Sequence, residues 1–174
     1  VGIDVKTLRY SELIILWGFN AADTRFGPET EAVLSEARRK GTRIIVIDPR
    51  RTRTVRRFAD WWIPVYPGTD TALMQALLFC VLPDGVEDRS FIETHSAGFD
   101  ELEAHTLGRD GSRPKSPEWA AGLCGVSAAD IERLARTYAA ARPAALLPGL
   151  SIQRILGGEQ ADRMGGVLQL ALGN

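Results

Sequence analysis

Residues 13–20 read LIILWGFN, an apolar run that is followed at once by a glycine and a polar side chain. A short apolar run bounded by turn residues is typical of a strand that is covered on both faces, as the strands of parallel sheets are. We therefore expect Leu13 to Phe19 to form a buried strand. The fold class that the sequence predicts depends on whether further buried strands follow.

Three further apolar runs follow, and each ends at residues that do not continue a central strand. They are Arg43–Ile47 before Asp48-Pro49, the weaker Trp61–Val65 before Pro67-Gly68, and Ala144–Leu147 before Pro148-Gly149. Proline lacks the N–H that a sheet ladder needs, so it marks the strand exits. Helical patterns separate the runs. This alternation predicts an α/β fold with a mostly parallel sheet in a three-layer αβα, Rossmann-like arrangement.

Apolar residues at helical spacing predict four main helices. These begin at Pro28, at Thr69 or Asp70, at Ser127 and at Glu159. Residues 84–126 are instead rich in Gly, Ser, Asp and Pro. We expect an irregular insertion there, with short helical patches around Phe91 and Glu101.

Composition limits the class of protein. The chain has 174 residues, of which 45% are hydrophobic, so it can form one domain with a substantial core. No apolar stretch approaches the roughly 18 residues that a transmembrane helix needs. The net charge of -1 gives no overall attraction to nucleic acid or anionic lipid. Cys80 and Cys124 are far apart in sequence, so we expect buried thiols rather than a disulfide framework or metal site.

The residues that directly follow the strands are expected to meet, because the carboxyl ends of parallel strands share one edge of the sheet. These segments are GFNAADTR at 18–25, DPR at 48–50, PGTD at 67–70 and PGLSIQR at 148–154. Glycine allows backbone to approach a phosphate closely, and an acidic residue after the second strand is placed for a ribose hydroxyl. Each segment alone is more typical of a turn. Four of them at strand exits favour a nucleotide site.

Two details bear on which nucleotide binds. No GxGxxG follows either early strand, which disfavours a nicotinamide dinucleotide. A carboxylate at Asp70 would favour guanine over adenine, because it can accept hydrogen bonds from both N1–H and the 2-amino group. Arg50 is placed to bind a pyrophosphate. A nicotinamide-dependent dehydrogenase domain and a non-enzymatic guanine-nucleotide-binding module remain as alternatives.

Other polar residues give no catalytic or metal site. Nine Lys and Arg residues lie between positions 38 and 57, but no aromatic residues interleave them, so no nucleic-acid partner is expected. His95 and His105 have no metal ligands at a suitable spacing, and Ser151 has no evident base. The tryptophans are assigned to packing; they are Trp17, Trp61, Trp62 and Trp119.

Five stretches of the chain, in order, resemble the dimethyl sulfoxide reductase family of molybdopterin oxidoreductases. They are WGFNAADTR (17–25), RIIVIDPRRTRT (43–54), FADWWIPVYPGTDTAL (58–73), SPEWAAGLCGVSAADIERLAR (116–136) and PGLSIQRILGGEQADRMGGVLQLALGN (148–174). The resemblance implies that residues 1–174 are a single central domain, excised from a larger catalytic subunit. Such a domain binds the guanosine end of one of two molybdopterin guanine dinucleotides that hold molybdenum in the bis form.

The resemblance also implies roles for individual residues. By the family pattern, the phosphates and sugar lie along Gly18, Asn20 and Asp23. The guanosine lies at Asp48 and Arg50, and the guanine base is recognised by Gly68 and Asp70. The pterin and metal side is approached by Gly149, Ser151, Gln153 and Arg154. Many relatives have a second glycine where Ser151 stands and a proline where Ala21 stands. Contacts from those two loops are therefore expected to differ in this chain.

What the resemblance implies for the whole subunit is oxygen-atom transfer or reduction of a small molecule such as a sulfoxide or N-oxide, with thiosulfate, polysulfide, nitrate and formate chemistry as alternatives. The metal ligand and an iron–sulfur cluster are expected elsewhere in the full subunit, so this chain alone should not turn over. The implied partners are the remaining domains, an iron–sulfur electron-transfer subunit and a membrane anchor. The implied location is periplasmic or membrane-associated in a prokaryote.

Overall fold

The computed structural model describes residues 4–24, 27, 29–85 and 89–174. Its strands are β1 (Leu13–Trp17), β2 (Arg43–Ile47), β3 (Trp61–Ile63) and β4 (Ala144–Pro148). They form one parallel sheet in the order β3-β2-β1-β4. Leu13 pairs with Arg43 on one side and with Ala144 on the other. The α/β prediction with a parallel sheet is confirmed.

Helices lie between and after the strands. They are α1 (Thr30–Arg39), α2 (Arg53–Phe58), α3 (Asp70–Val81), α4 (Arg89–His95), α5 (Phe99–Leu107), α6 (Pro117–Cys124), α7 (Ala128–Ala140) and α8 (Glu159–Ala171), with short 3-10 helices at Val5–Tyr10, Leu82–Asp84 and Leu150–Gln153. None of the helices in the described ranges has the length and apolarity of a membrane span.

The two faces of the sheet bury separate apolar clusters, because side chains alternate along each strand. Leu13, Ile15 and Trp17 of β1 pack in the larger cluster, with residues from α3, α6, α7 and α8. Ile14 and Leu16 pack in the smaller one, with residues from α1, α2 and the first 3-10 helix. The sheet is thus the middle layer of three, as the sequence predicts.

Most of the predicted elements lie within two residues of their observed bounds. The first and third strands are shorter than expected, since they end at Trp17 and Ile63. The expected helix start at Pro28 falls outside the described residues, and α1 is described from Thr30. Ser127 caps α7 as predicted, since its hydroxyl accepts a hydrogen bond from the Asp130 N–H at 3.1 Å.

The segment 84–126 is more regular than predicted. Helices α4 and α5 coincide with the patches around Phe91 and Glu101, but α6 was not expected. Ala120 and Cys124 of α6 are fully buried in the larger cluster. The segment therefore contributes to the core.

Candidate functional site

The carboxyl ends of β1, β2 and β4 surround a cavity of about 510 Å3. It is lined by Gly18, Phe19, Asn20, Thr24, Asp48, Arg50, Pro148, Gly149, Leu150 and Ser151. A smaller cavity of about 100 Å3 shares Gly18 and Ser151 with it and extends to Gly68 and Asp70. We call the two together the carboxyl-edge crevice. Its volume lies within the usual range for small-molecule sites.

The loops after β1 and β4 pack directly on one another. The Gly149 N–H donates a hydrogen bond to the Trp17 carbonyl oxygen at 2.7 Å, and the Ser151 hydroxyl donates to the Gly18 carbonyl oxygen at 2.8 Å. A Cβ atom on Gly149 would lie 2.0 Å from that same Gly18 oxygen. Glycine at position 149 is thus required by close backbone packing between the two loops.

Asp48 supplies a buried acceptor to the crevice. The residue is 6% exposed, and its Oδ1 accepts a hydrogen bond from the Arg50 N–H at 2.8 Å. Burial raises the pKa of the Asp48 carboxyl, and the Arg50 N–H bond and the Arg50 cation oppose that rise. Its carbonyl oxygen accepts from the Trp62 indole at 2.8 Å, which fixes the backbone of this loop. A ligand N–H or O–H would complete the solvation of this carboxylate.

Asp70 lies at the start of α3 and is also 6% exposed. The Trp17 indole N–H donates a hydrogen bond to Asp70 Oδ1 at 2.8 Å. This bond orients the carboxylate beside the smaller cavity, which Asp70 and Gly68 help to line. Gly68 has a φ of 82°, a left-handed conformation that favours glycine. The turn before α3 therefore places an oriented acceptor in the crevice.

A hydrogen-bonded network joins the loop after β1 to α2. The Thr54 hydroxyl donates to Asn20 Oδ1 at 2.6 Å and accepts from the Ala22 N–H at 2.9 Å. The Asn20 amide nitrogen donates to Asp23 Oδ2 at 2.9 Å. Arg53 forms an ion pair with Asp23 at 3.3 Å. Asn20 itself lines the larger cavity.

The structure brings together eight of the eleven residues that the sequence singled out. Gly18, Asn20, Asp48, Arg50, Gly68, Asp70, Gly149 and Ser151 all line the crevice. Asp23 accepts a hydrogen bond from the Asn20 amide and lines neither cavity. Gln153 and Arg154 are exposed on and just after the last 3-10 helix, and they line neither cavity of the crevice.

Two residues of this site, Trp17 and Thr54, were not predicted from the sequence. Trp17 was assigned to packing alone, and it is fully buried, but its indole N–H also binds the Asp70 carboxylate. Thr54 is fully buried on α2, a helix that was not predicted. The available signal was Thr52, whose hydroxyl accepts a hydrogen bond from the Val55 N–H at 3.3 Å and caps that helix.

The arginine-rich segment is held mainly by contacts within the protein. Arg38 pairs with Asp60 and Arg57 with Glu31, while Lys40 pairs with Glu36 at 2.9 Å. Arg56 donates a hydrogen bond to the Arg51 carbonyl oxygen. Arg50 is exposed and lines the larger cavity. Of this cluster, Arg50 is therefore the cation that the crevice presents to a ligand.

The two histidines and two cysteines lie outside the crevice. The His95 ring stacks on Phe91 at 4.2 Å between ring centroids, and His105 Nδ1 lies 3.0 Å from Asp110. Cys124 is buried and Cys80 is half-buried. Burial raises the pKa of the Cys124 thiol, so it stays protonated near neutral pH.

Comparison with known proteins points to one family. The profile described as "Molybdopterin oxidoreductase" matches residues 3–173. The dimethyl sulfoxide reductase DmsA of Escherichia coli (strain K12) is 36% identical over 99% of this chain and 23% of its own length. The dimethyl sulfoxide/trimethylamine N-oxide reductase of Rhodobacter capsulatus is 36% identical over 88% of this chain and 19% of its own length.

Among solved structures, acetylene hydratase from Pelobacter acetylenicus has a similar fold. The TM-score is 0.79 at 24% sequence identity, and the match covers 97% of this chain and 24% of that protein. At this identity the likeness concerns the fold. The chain thus spans about a fifth to a quarter of the length of these proteins.

Proposed function

Because this chain belongs to the molybdopterin oxidoreductase family, we propose that its carboxyl-edge crevice binds the guanosine end of a molybdopterin guanine dinucleotide. One observation carries the proposal: Asp48, Asp70 and Gly149 follow three different strands and line two adjoining cavities at a single edge of the sheet. This is the edge where open α/β sheets bind nucleotides.

The guanine contact rests on Asp70. A carboxylate can accept hydrogen bonds from guanine N1–H and from its 2-amino group, whereas adenine has neither donor at those positions. The Trp17 N–H holds the Asp70 carboxylate in one orientation, which lowers the entropic cost of binding. Gly68 leaves the approach to the carboxylate free of a side chain, and its missing Cβ would lie 3.3 Å from Ile155.

The sugar and phosphates are proposed to occupy the larger cavity. Asp48 offers a carboxylate oxygen to a ribose hydroxyl, as acidic residues after the second strand do in nucleotide-binding sheets. Arg50 supplies a positive charge that can pair with the pyrophosphate. Gly18 lets a phosphate approach the backbone of the first loop. The residues that the structure describes thus fit the nucleotide end of the cofactor.

The opposite end of the cofactor is assigned to the loop after β4. Gly149 and Ser151 line the crevice, and the exposed Gln153 and Arg154 continue from them toward the proposed pterin side. When bound, the molybdenum–pterin group supplies redox chemistry to the enzyme. The part of this chain is to hold and orient that group.

The activity of the whole protein is proposed from its relatives. We assign reduction of a sulfoxide or N-oxide, since the similar proteins carry dimethyl sulfoxide and trimethylamine N-oxide reductase names. A second dinucleotide in the bis form, the metal ligand and an iron–sulfur cluster are assigned to the rest of the subunit. The resemblance alone supports an iron–sulfur partner subunit, a membrane anchor and a periplasmic or membrane-associated location.

Calorimetric titration with GDP, ADP and NAD tests the nucleotide assignment. We expect GDP to bind more tightly than either competitor. Asp70→Asn should weaken GDP binding by at least about tenfold, because an amide N–H would replace an oxygen that accepts from guanine. Asp100→Asn is the matched control, since this carboxyl is 93% exposed on α5 and should leave the affinity unchanged.

A preference for NAD over GDP would contradict the proposal in favour of a nicotinamide dehydrogenase domain. GDP binding that is indifferent to Asp70→Asn would contradict the guanine contact. Metal analysis of the full-length protein, purified from its native host, should find molybdenum. Absence of molybdenum from that protein would contradict the cofactor assignment, and GDP binding without the metal would support a non-enzymatic guanine-nucleotide-binding module.

A further inference from the structure

We propose that Thr54 is a positioning residue that fixes the Asn20 side chain as a hydrogen-bond donor toward a phosphate of the bound nucleotide. The inference rests on the proposed function, and it adds a residue, Thr54, and a hydrogen-bonding role for Asn20 as a donor. It follows from the directions of the hydrogen bonds around Asn20, Asp23 and Thr54.

The Thr54 hydroxyl accepts one hydrogen bond and donates another. Thr54 is fully buried, and its oxygen accepts a hydrogen bond from the Ala22 N–H at 2.9 Å. A hydroxyl has one hydrogen to donate, and a buried hydroxyl uses it. The Asn20 amide oxygen lies 2.6 Å away and accepts that hydrogen.

The Asn20 amide group has one favoured orientation. Its nitrogen donates to Asp23 Oδ2 at 2.9 Å. An ionised carboxylate only accepts hydrogen bonds, so the reversed amide would place two acceptors against each other. Thr54 and Asp23 therefore select the same orientation from opposite ends of the amide. Arg53 forms an ion pair with Asp23 at 3.3 Å, which helps to hold that carboxylate in place.

The Asn20 amide nitrogen has a second hydrogen that a ligand can accept. An amide nitrogen carries two hydrogens, and Asp23 takes one of them. Asn20 lines the larger cavity, together with Gly18 and Arg50. A fixed donor and a cation at the same cavity suit a group that only accepts hydrogen bonds and carries negative charge. A nucleotide phosphate has both properties, whereas a nucleoside lacks the charge.

Thr54→Val and Thr54→Ser test the inference, since valine keeps the shape of threonine without the hydroxyl and serine keeps the hydroxyl. Affinities for GDP and guanosine should be measured for each by calorimetry. We expect Thr54→Val to weaken GDP binding by about tenfold, the size of one hydrogen bond to a charged group. Guanosine binding should not change. Thr54→Ser should retain the GDP affinity of the unaltered protein.

A merely structural role for Thr54 would weaken GDP and guanosine equally, and that result would overturn the inference, as would an unchanged GDP affinity in Thr54→Val. Should that variant fail to fold, Asn20→Asp provides the same comparison, because it replaces the donor with an acceptor. It should weaken GDP binding but spare guanosine, and equal effects on the two ligands would overturn the inference. An unaltered protein that binds guanosine but not GDP would overturn it too. Binding of neither ligand would instead overturn the proposed function, on which the inference rests.

Discussion

At the scale of single residues, Gly149 determines whether the loops after β1 and β4 can meet. We expect Gly149→Ala to lower the free energy of unfolding by about 1 to 3 kcal/mol, because the added Cβ overpacks a well-filled contact. Its nearest neighbours would be the carbonyl oxygen and carbon of Gly18, at 2.0 and 2.5 Å. Denaturant unfolding measures the loss, and GDP affinity should fall with it because Gly18 moves.

Gly166 provides the matched control for this substitution. It is exposed within α8, and a Cβ there would have no heavy atom of the described residues within 4 Å, apart from its own helix. Gly166→Ala should raise stability by about 0.5 to 1 kcal/mol, since alanine favours a helix interior. If both variants lost stability equally, the close contact at Gly149 would not be the cause.

Asp48 links nucleotide binding to pH. Burial raises the pKa of this carboxyl. At a pH between the unfolded and the folded pKa values, the folded protein therefore holds a proton that the unfolded chain has lost. The stability contributed by Asp48 is therefore full below the unfolded pKa of about 3.9 and is lost as the pH rises through the raised folded value. The Asp48→Asn variant removes this cost, so its stability relative to the unaltered protein should increase from about pH 4 to pH 7.

Ligand binding should follow the opposite trend. A ribose hydroxyl donates to the ionised carboxylate, so GDP affinity should fall as the pH is lowered through the folded pKa of Asp48. Calorimetry across this range, paired with denaturant unfolding of Asp48→Asn, measures both effects. An affinity that declines identically in the variant and in the unaltered protein would show that another group titrates.

At the scale of elements, the strands were predictable and two helices were not. β1, β2 and β4 are buried through most of their length, so their sequences are nearly continuous apolar runs. Helix α2 spans six residues and carries three arginines, and its few apolar side chains give no clear helical period. Helix α6 begins with Ser116 as its N-cap and Pro117 in its first turn, but the surrounding Gly and Pro residues obscured that signal.

Capping at the start of α7 was predicted from the sequence and is open to a direct test. The Ser127 hydroxyl accepts a hydrogen bond from the Asp130 N–H. It donates a hydrogen bond to the Asp130 carboxylate at 2.7 Å. Ser127→Ala should cost about 1 kcal/mol of stability, because it leaves a helix N–H without its partner. Ser127→Thr, which keeps the hydroxyl, should restore most of that loss. If Ser127→Ala unfolded at the same denaturant concentration as the unaltered protein, the cap would not contribute.

At the scale of the whole molecule, chain topology assembles the crevice. Gly18, Asp48 and Gly149 are far apart in sequence, and parallel pairing of β2, β1 and β4 brings them to one edge. This convergence was predictable, because it follows from the fold class alone. The Trp17–Asp70 and Thr54–Asn20 hydrogen bonds were not, since they depend on side-chain orientations that periodicity does not specify.

A separate cavity is also large enough for a small molecule. It has about 520 Å3 and is lined by residues of α3, α6 and α7, which include Cys80, Glu118 and Arg136. Its volume is close to the 510 Å3 of the larger cavity in the crevice, so volume alone does not choose between them. We assign the nucleotide to the crevice because of its oriented carboxylates and its exposed cation.

Amide chemical-shift mapping by NMR during a GDP titration distinguishes these two sites directly. We expect concentration-dependent shifts at Gly18, Asp48, Asp70 and Gly149, and unchanged signals at Cys80 and Glu118. Shifts confined to Cys80, Glu118 and their neighbours, with the four crevice signals unmoved, would contradict the assignment of the nucleotide to the crevice.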